Sequence, residues 1–279
     1  MKFAFVVRYG KMRHAETFQT DVEGLSKCSP CVVQTDRGAE LGIIICPADE
    51  SRQDGPRNFR GTVLREATEE DLDRTLKLVR DEEPQERKFC EQKVKELELA
   101  MRVADVEHLL GGEKIIFYFL ADGRIDFREL VKELAKKYRT RIEMKQIGVR
   151  DEARLLGHME HCGRELCCRI FMKTLEPVTM KMAKSQKTTL DPTKISGRCG
   201  RLMCCLRFED KTYEDLRRKL PKKGSRVVTA RGKGEVVDYD ILAQLVTIET
   251  DKDKRMVIPV SEIIGKGNSS REGAGGGKG

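Results

Sequence analysis

Tryptophan is absent from the 279 residues, and aromatic residues make up only 5% of them. Stacking platforms for unpaired bases are therefore scarce. No apolar run approaches the roughly 20 residues that cross a bilayer; the longest are Leu41–Cys46 and Ile115–Ala121. The opening MKFAFVVR holds five apolar residues between Lys2 and Arg8. That is too short for a signal-peptide core and reads as a first strand, so a cytoplasmic location is expected. The nucleophile elbow G-x-S-x-G, the zinc motif H-E-x-x-H, a P-loop and a dinucleotide glycine fingerprint are all missing, which leaves the common catalytic frameworks without a foothold.

Hydrophobic residues at 39% against 36% charged are enough to build real cores. Lys and Arg number 54 against 46 Asp and Glu, a net charge of +8. Such a modest basic excess permits an acidic partner such as RNA without demanding one. The expected fold class is α+β: a central mixed α/β unit with an N-terminal β region, an irregular Cys-rich segment and a small C-terminal SH3-like β barrel.

Residues 1–58 read as the N-terminal β region. Lys2–Val7 is a strand, and Cys31–Thr35 and Glu40–Cys46 flank the turn signal Asp36-Arg37-Gly38. Ala48–Asn58 is rich in loop-forming residues. Residues 59–147 read as the α/β core. Phe59–Glu66 is its first strand, and Thr68 before Glu69-Glu70-Asp71 starts a helix. Pro84 is expected to interrupt that helix. A second helix follows with Cys90, Val94, Leu97 and Met101 on one stripe. Val103–Leu109 and Lys114–Leu120 form a hairpin, Asp126 opens a helix that Glu129 helps to cap, and Arg141–Ile147 is the closing strand. Residues 148–223 are the Cys-rich segment, ending in a helix over Glu209–Leu220. Residues 224–264 hold four short strands at barrel-like spacing, Ser225–Ala230, Gly234–Tyr239, Leu245–Thr250 and Arg255–Val260. Residues 265–279 read as a disordered tail.

Ten cysteines in a reduced compartment are not a disulfide framework. Six of them form an internal duplication: Cys162-Gly-Arg-Glu-Leu-Cys167-Cys168 recurs as Cys199-Gly-Arg-Leu-Met-Cys204-Cys205, 37 residues later, with five of seven positions shared. On a regular helix, five residues turn through about 500°, so the first two sulfurs of each repeat would diverge. Gly163 permits a tight turn that brings them together and aims backbone N–H groups at them. Arg164 and Arg201 add positive charge that favours thiolates. Adjacent cysteines point apart, so each repeat offers two easy ligands and one spare. The pattern predicts two sulfur hairpins that share an inorganic centre, with four ligands from within the chain or with the spare thiolates serving a second cluster that a partner completes. Iron–sulfur and structural zinc both suit such a donor set. Cys46, on an apolar strand, and Cys90, on an apolar stripe, read as buried packing residues. Cys28-Ser-Pro-Cys31 has CxxC spacing but reads first as packing, and His158 and His161 read as surface residues.

The run from Gly148 to Gly157, the CGRELCC segment, Pro177–Lys184 (PVTMKMAK) and Leu190–Cys205 (LDPTKISGRCGRLMCC) together resemble the bacterial RicT (YaaT) family, built around a polymerase-suppressor-protein C-terminal domain. The resemblance covers roughly residues 2–220 and implies a cytoplasmic regulatory protein without catalytic activity of its own. It implies assembly with small helical YlbF/YmcA-type proteins into a complex that carries [4Fe-4S] clusters. That complex helps the membrane-anchored endoribonuclease RNase Y mature messenger RNAs, with effects on sporulation, competence and biofilm development. The cluster cysteines implied here are Cys162, Cys167, Cys168, Cys199, Cys204 and Cys205. The C-terminal barrel has no firm place in the family plan.

Two other readings compete. A zinc-stabilised nucleic-acid-binding module is motivated by the basic runs Arg217–Lys223 and Arg231–Lys233 and by the barrel. A thiol oxidoreductase built on a vicinal cysteine pair lacks a thioredoxin-like context around its CxxC.

Overall fold

The computed structural model of the chain describes residues 3–48, 59–250 and 254–266. The expected loop over 48–58 and tail over 265–279 fall almost wholly outside the described residues. The chain divides into two units. The first comprises residues 1–172 with 198–200, the second residues 173–197 with 201–279.

The first unit begins with five strands: β1 (Phe3–Tyr9), β2 (His14–Thr20), β3 (Pro30–Gln34), β4 (Ala39–Pro47) and β5 (Gly61–Glu66). They close into a barrel in the order β1-β2-β5-β3-β4. Period-two alternation sends Phe5, Val7 and Tyr9 of β1 into the barrel core with Phe18, Cys31, Val33, Ile44 and Val63. The β3–β4 hairpin forms around Asp36-Arg37-Gly38 as expected, pairing Cys31 with Gly42 and Gln34 with Ala39. β5 corrects an expectation. It does not head the α/β unit; it pairs with β2 and β3 and closes the barrel. The closure needs a glycine at its tightest point, because a Cβ on Gly61 would lie 1.9 Å from the Gln34 carbonyl oxygen.

Thr68 caps α1 (Glu69–Lys77) by a capping box: its Oγ1 accepts from the Asp71 N–H, and the Asp71 carboxylate accepts from the Thr68 N–H. The helix does not break at Pro84. It widens into a π-helical turn over Leu78–Glu82 and continues as α2 (Glu83–Glu96). The proline occupies the first turn of α2, where its missing N–H costs least, and the π turn before it makes room for the ring. Cys90 and Val94 of α2 are buried as the stripe predicts, while Met101 lies beyond the helix end.

A three-stranded sheet follows: β6 (Arg102–His108), antiparallel to β7 (Lys114–Leu120), which is parallel to β8 (Arg141–Gln146). α3 (Arg128–Tyr138) makes the crossover between the parallel strands. Asp126, not Glu129, serves its start: the Asp126 carboxylate accepts from the Arg128 N–H at 3.2 Å, and Phe127 is the cap residue. One face of the sheet packs Val103, Val106, Ile115 and Phe117 against Cys90, Leu130 and Leu134. The other packs Ala104, Ile116 and Tyr118 with Met12, Ile147 and Leu155, the last from α4 (Val149–Leu156). α5 (Cys167–Ile170) ends this unit's regular structure.

The second unit holds α6 (Met180–Ser185), α7 (Pro192–Ile195) and α8 (Cys204–Arg218). It ends in β9 (Arg226–Thr229), β10 (Gly232–Asp240), β11 (Leu245–Thr250), β12 (Arg255–Pro259) and β13 (Ile263–Lys266). The strands form an antiparallel sheet in the order β12-β11-β10-β9-β13 around Val227, Val236, Ile241, Val246, Ile248 and Ile258. Four of the five strands match the expected ones within a few residues, and β13 adds an edge. The closed barrel belongs to the N-terminal strands. Among the described residues no helix is long and apolar enough to cross a membrane.

Candidate metal centre

The six repeat cysteines sit in two copies of one local structure. In the first copy, Met159 bridges Glu165, and the Glu160 N–H donates to the Arg164 carbonyl at 2.9 Å. In the second, 37 residues on, Ser196 bridges Leu202, and the Gly197 N–H donates to the Arg201 carbonyl at 2.9 Å. Each hairpin turns at a glycine in the left-handed region, Gly163 with φ +73° and Gly200 with φ +72°. Each then passes through an extended residue, Leu166 or Met203, into a helix whose first two residues are the cysteine pair. The tight turn expected at Gly163 is present, and it occurs twice. It leaves the leading cysteine near the turn and the paired cysteines at a helix start, where backbone N–H groups lack intrahelical partners.

α8 therefore begins five residues before the expected Glu209, at Cys204 itself. Met203 offers no side-chain cap, so no sequence signal marks this start. Its first turn is held from the side: Gln186, buried, donates its Nε2–H to the Leu206 carbonyl at 2.6 Å. The Met203 N–H donates to the Ile195 carbonyl at 2.9 Å, at the end of a turn capped by Asp191. The first knuckle is held by Arg169 and Arg13, which pair with Glu165 at 2.9 and 3.0 Å. Gly157 at the end of α4 makes room for Arg169: a Cβ there would lie 1.2 Å from its Nη1.

Exposure separates the adjacent cysteines of the first repeat but not those of the second. Cys162 is exposed, Cys167 half-buried and Cys168 buried. Cys199, Cys204 and Cys205 are all half-buried. Burial pushes the Cys205 thiol up, with the neighbouring charges of Cys204 and Glu209 adding to it. Arg164 and Arg201 are exposed, and their carbonyls close the hairpins. Four of the six cysteines, Cys162, Cys167, Cys168 and Cys199, belong to the first unit; Cys204 and Cys205 belong to the second. Within the first unit the neighbour of Cys199 meets the first hairpin, since the Arg198 N–H donates to the Glu160 carboxylate at 3.2 Å.

Tetrahedral zinc–thiolate bonds of about 2.3 Å would bring sulfurs to about 3.8 Å of one another. Neither repeat gathers its three sulfurs that closely: among the described residues the one group with three ligand atoms within 4.8 Å is Glu82, Glu86 and His108. The donor set is nonetheless all thiol, the class that iron–sulfur clusters take, and a four-iron cluster is wider than a single ion.

The other cysteines divide differently from the sequence reading. Cys31 is buried and pushed up to about 11 by that burial. Cys90 is buried and pushed up to about 12, by burial first and the Glu91 charge second. Both are packing residues. Cys46, expected in a core, is exposed near the end of β4, because the inward alternation of that strand ends at Ile44. Cys28 is exposed with φ +70°. His158 and His161 are exposed, as expected.

Comparison with known proteins places this geometry in context. Residues 61–147 match the PSP1 C-terminal conserved region, and residues 177–220 match the third domain of PSP1-like proteins. The second match contains Cys199, Cys204 and Cys205. The stage 0 sporulation protein YaaT of Bacillus subtilis is 42% identical over 267 residues, 94% of this chain and 95% of that protein. The Schizosaccharomyces pombe protein PB7E8.02 is 36% identical over 142 residues, 40% of this chain and 19% of its own length. No solved structure matches.

Proposed function

The chain belongs to the family of the stage 0 sporulation protein YaaT, and from that premise we propose that it is a non-catalytic regulatory subunit whose twin cysteine knuckles hold an iron–sulfur cluster. The observation that carries the reading is the knuckle itself, built twice with the same bridge, the same left-handed glycine and the same helix-start cysteine pair. The family supports the regulatory role: its Bacillus subtilis member is named for sporulation. Cys162, Cys167, Cys168, Cys199, Cys204 and Cys205 supply the ligands. A cluster supplies a charged, redox-sensitive core whose binding energy folds the residues around it. This chain's own part is to hold thiols at turns and helix starts, and to carry around them a surface that small helical YlbF/YmcA-type proteins recognise. In this reading the assembly promotes RNase Y-dependent maturation of messenger RNA, and oxidation of the cluster releases a partner by withdrawing that folding energy.

The test is the protein purified without oxygen, alone and co-produced with the helical partners. The expected preparation is brown and contains iron and acid-labile sulfide. Cys167→Ser and Cys204→Ser lose the iron, and Cys46→Ser, outside both knuckles, keeps it. Colourless, iron-free protein from both preparations overturns the reading. Stoichiometric zinc with salt-sensitive RNA binding instead establishes the zinc-stabilised nucleic-acid module.

A further inference from the structure

A second cluster of ligating side chains lies in the first unit and contains no sulfur. Glu82 closes the π turn, and Glu86 stands four residues on, one helical turn along α2 and on the same face. His108 ends β6. The His108 Nδ1 is 2.9 Å from Glu86 Oε1 and 3.9 Å from Glu82 Oε2. One ligand atom from each of the three lies within 4.8 Å of the other two.

An ordinary histidine–carboxylate hydrogen bond accounts for only part of this. Glu86 is 4% exposed, and its Oε2 is buried with no hydrogen-bond partner among the described residues. A carboxylate oxygen stripped of water and given no donor loses its hydration without return. Neighbouring cations are already engaged. Lys11 lies 2.6 Å from Glu83 Oε2 and 2.9 Å from Asp105 Oδ2. Arg74 donates to both Glu82 oxygens, closely to Oε1 through Nη1 and to Oε2 through Nη2 at a longer 3.4 Å, and Oε2 lies 3.9 Å from His108 Nδ1. The His108 backbone N–H donates to Glu83 Oε1 at 3.0 Å and anchors the strand end against the helix. The histidine thus sits between two carboxylates, one of which keeps an unused oxygen in the interior. A cleft of about 270 Å³ with room for water counts His108 and Glu83 among its lining residues, but neither Glu82 nor Glu86. π turns are also frequent at functional sites.

We propose that Glu82, Glu86 and His108 form a divalent-cation site that takes a first-row ion such as Mn²⁺. Two carboxylates and one imidazole are an oxygen-rich set with a single nitrogen. The ion would sit between the helix and the strand end and give Glu86 Oε2 the positive partner it lacks. Arg74 is a positioning residue that steers Glu82. The site is chemically separate from the cysteine knuckles: thiolates select soft ions, and this set selects hard ones. It stands or falls independently of the cluster reading.

The test is Mn²⁺ alone, titrated into the full-length protein, with binding followed by loss of the free-ion paramagnetic resonance signal. One saturable Mn²⁺ per chain is expected. Glu86→Gln, which keeps the shape and removes the charge, and His108→Gln should each weaken it at least tenfold. Cys46→Ser, exposed and outside both sites, should leave it unchanged. Mn²⁺ should raise the melting temperature of the parent and not that of Glu86→Gln, which reads the site even if His108→Gln folds poorly. Absence of saturable uptake by the parent, or equal uptake by parent and Glu86→Gln, overturns the proposal.

Discussion

Replacing Arg37 by Met should destabilise the first unit by about 3–5 kcal/mol, the range for removing one partner from a buried ion pair. The guanidinium lies between two buried carboxylates, its Nη1 3.0 Å from Glu107 Oε2 and its Nε 3.0 Å from Glu40 Oε1. Only 10% of the Arg37 side chain is exposed, against 3% for Glu40 and 6% for Glu107. The remaining bonds are too few to replace it. Glu107 still accepts from the Tyr118 hydroxyl at 2.6 Å and the Lys11 N–H at 2.8 Å, and Glu40 still accepts from the Thr35 hydroxyl at 2.7 Å. Met fills a similar volume, so the loss reads charge more than cavity.

The pH dependence gives the sharper test. Burial works to raise the Glu107 pKa, but Arg37 and the hydrogen bonds outweigh it and hold the pKa below the ordinary value. A carboxylate depressed in the folded state stabilises the protein above its unfolded pKa of about 4.3 and loses that contribution as pH falls. Without Arg37 the burial effect leads, so Glu107 becomes a group that prefers its proton and costs stability at neutral pH. The gap between parent and Arg37→Met should therefore be widest near pH 7 and shrink toward pH 4. Thermal unfolding followed by circular dichroism should show a fall of roughly 6–20 °C at neutral pH. Arg37→Lys, a point charge in place of a fork, should fall between the two. A variant within 1 kcal/mol of the parent at neutral pH, or a gap that widens on acidification, refutes the reasoning.

Gly61→Ala should cost more than the roughly 1–3 kcal/mol typical of overpacking, because the added Cβ meets the Gln34 carbonyl oxygen, which is backbone, at 1.9 Å. Loss of the barrel strands' protection in amide exchange checks it; an unperturbed barrel would show that β5 does not close it. Gly163→Ala and Gly200→Ala should each cost roughly 1–2 kcal/mol, the strain of a left-handed residue with a side chain, and by similar amounts, since both have open space around the new Cβ. Denaturant melts of the two variants check this, and markedly unequal losses would show that the knuckles are not equivalent.

The parts of the fold that the sequence announces are local. Thr68 with Asp71, the Asp36-Arg37-Gly38 turn and the β6–β7 hairpin all form where short-range chemistry puts them. What escaped is set by distant partners. β2, HAETFQT, is the exception: it carries one large apolar side chain facing in, Phe18, so its letters do not announce the hairpin it forms with the neighbouring β1. β5 reads like the start of a new unit because its partners lie far back in the chain. The π turn leaves no mark, since Leu78–Glu82 looks like any amphipathic helix until the bonding pattern is seen. The cysteine repeat is the reverse case. Its 37-residue register is plain from the letters, and the hairpins keep that register in the bridge and in the bond that closes the turn. Glu82, Glu86 and His108 were invisible as a group because a helix and a strand from different parts of the sequence bring them together.

The differences between the two knuckles bear on why the cysteines are there. A pattern maintained for packing would repeat its burial, and this one does not. Leu166 is 6% exposed and Cys168 7%, whereas their counterparts Met203 and Cys205 are only half-buried. The helices that follow differ as well, four residues for α5 against fifteen for α8. What the copies share is the backbone path that places sulfur: the bridge, the bond that closes the hairpin, the left-handed glycine, the extended residue, and a pair of cysteines as the first two residues of a helix. Apolar contact asks for volume and tolerates many backbone routes to it. Ligation asks for atoms at set positions and directions and is indifferent to how far the next helix runs. A repeat that holds the second kind of property fixed and lets the first drift is what the proposed ligation by its thiols would leave.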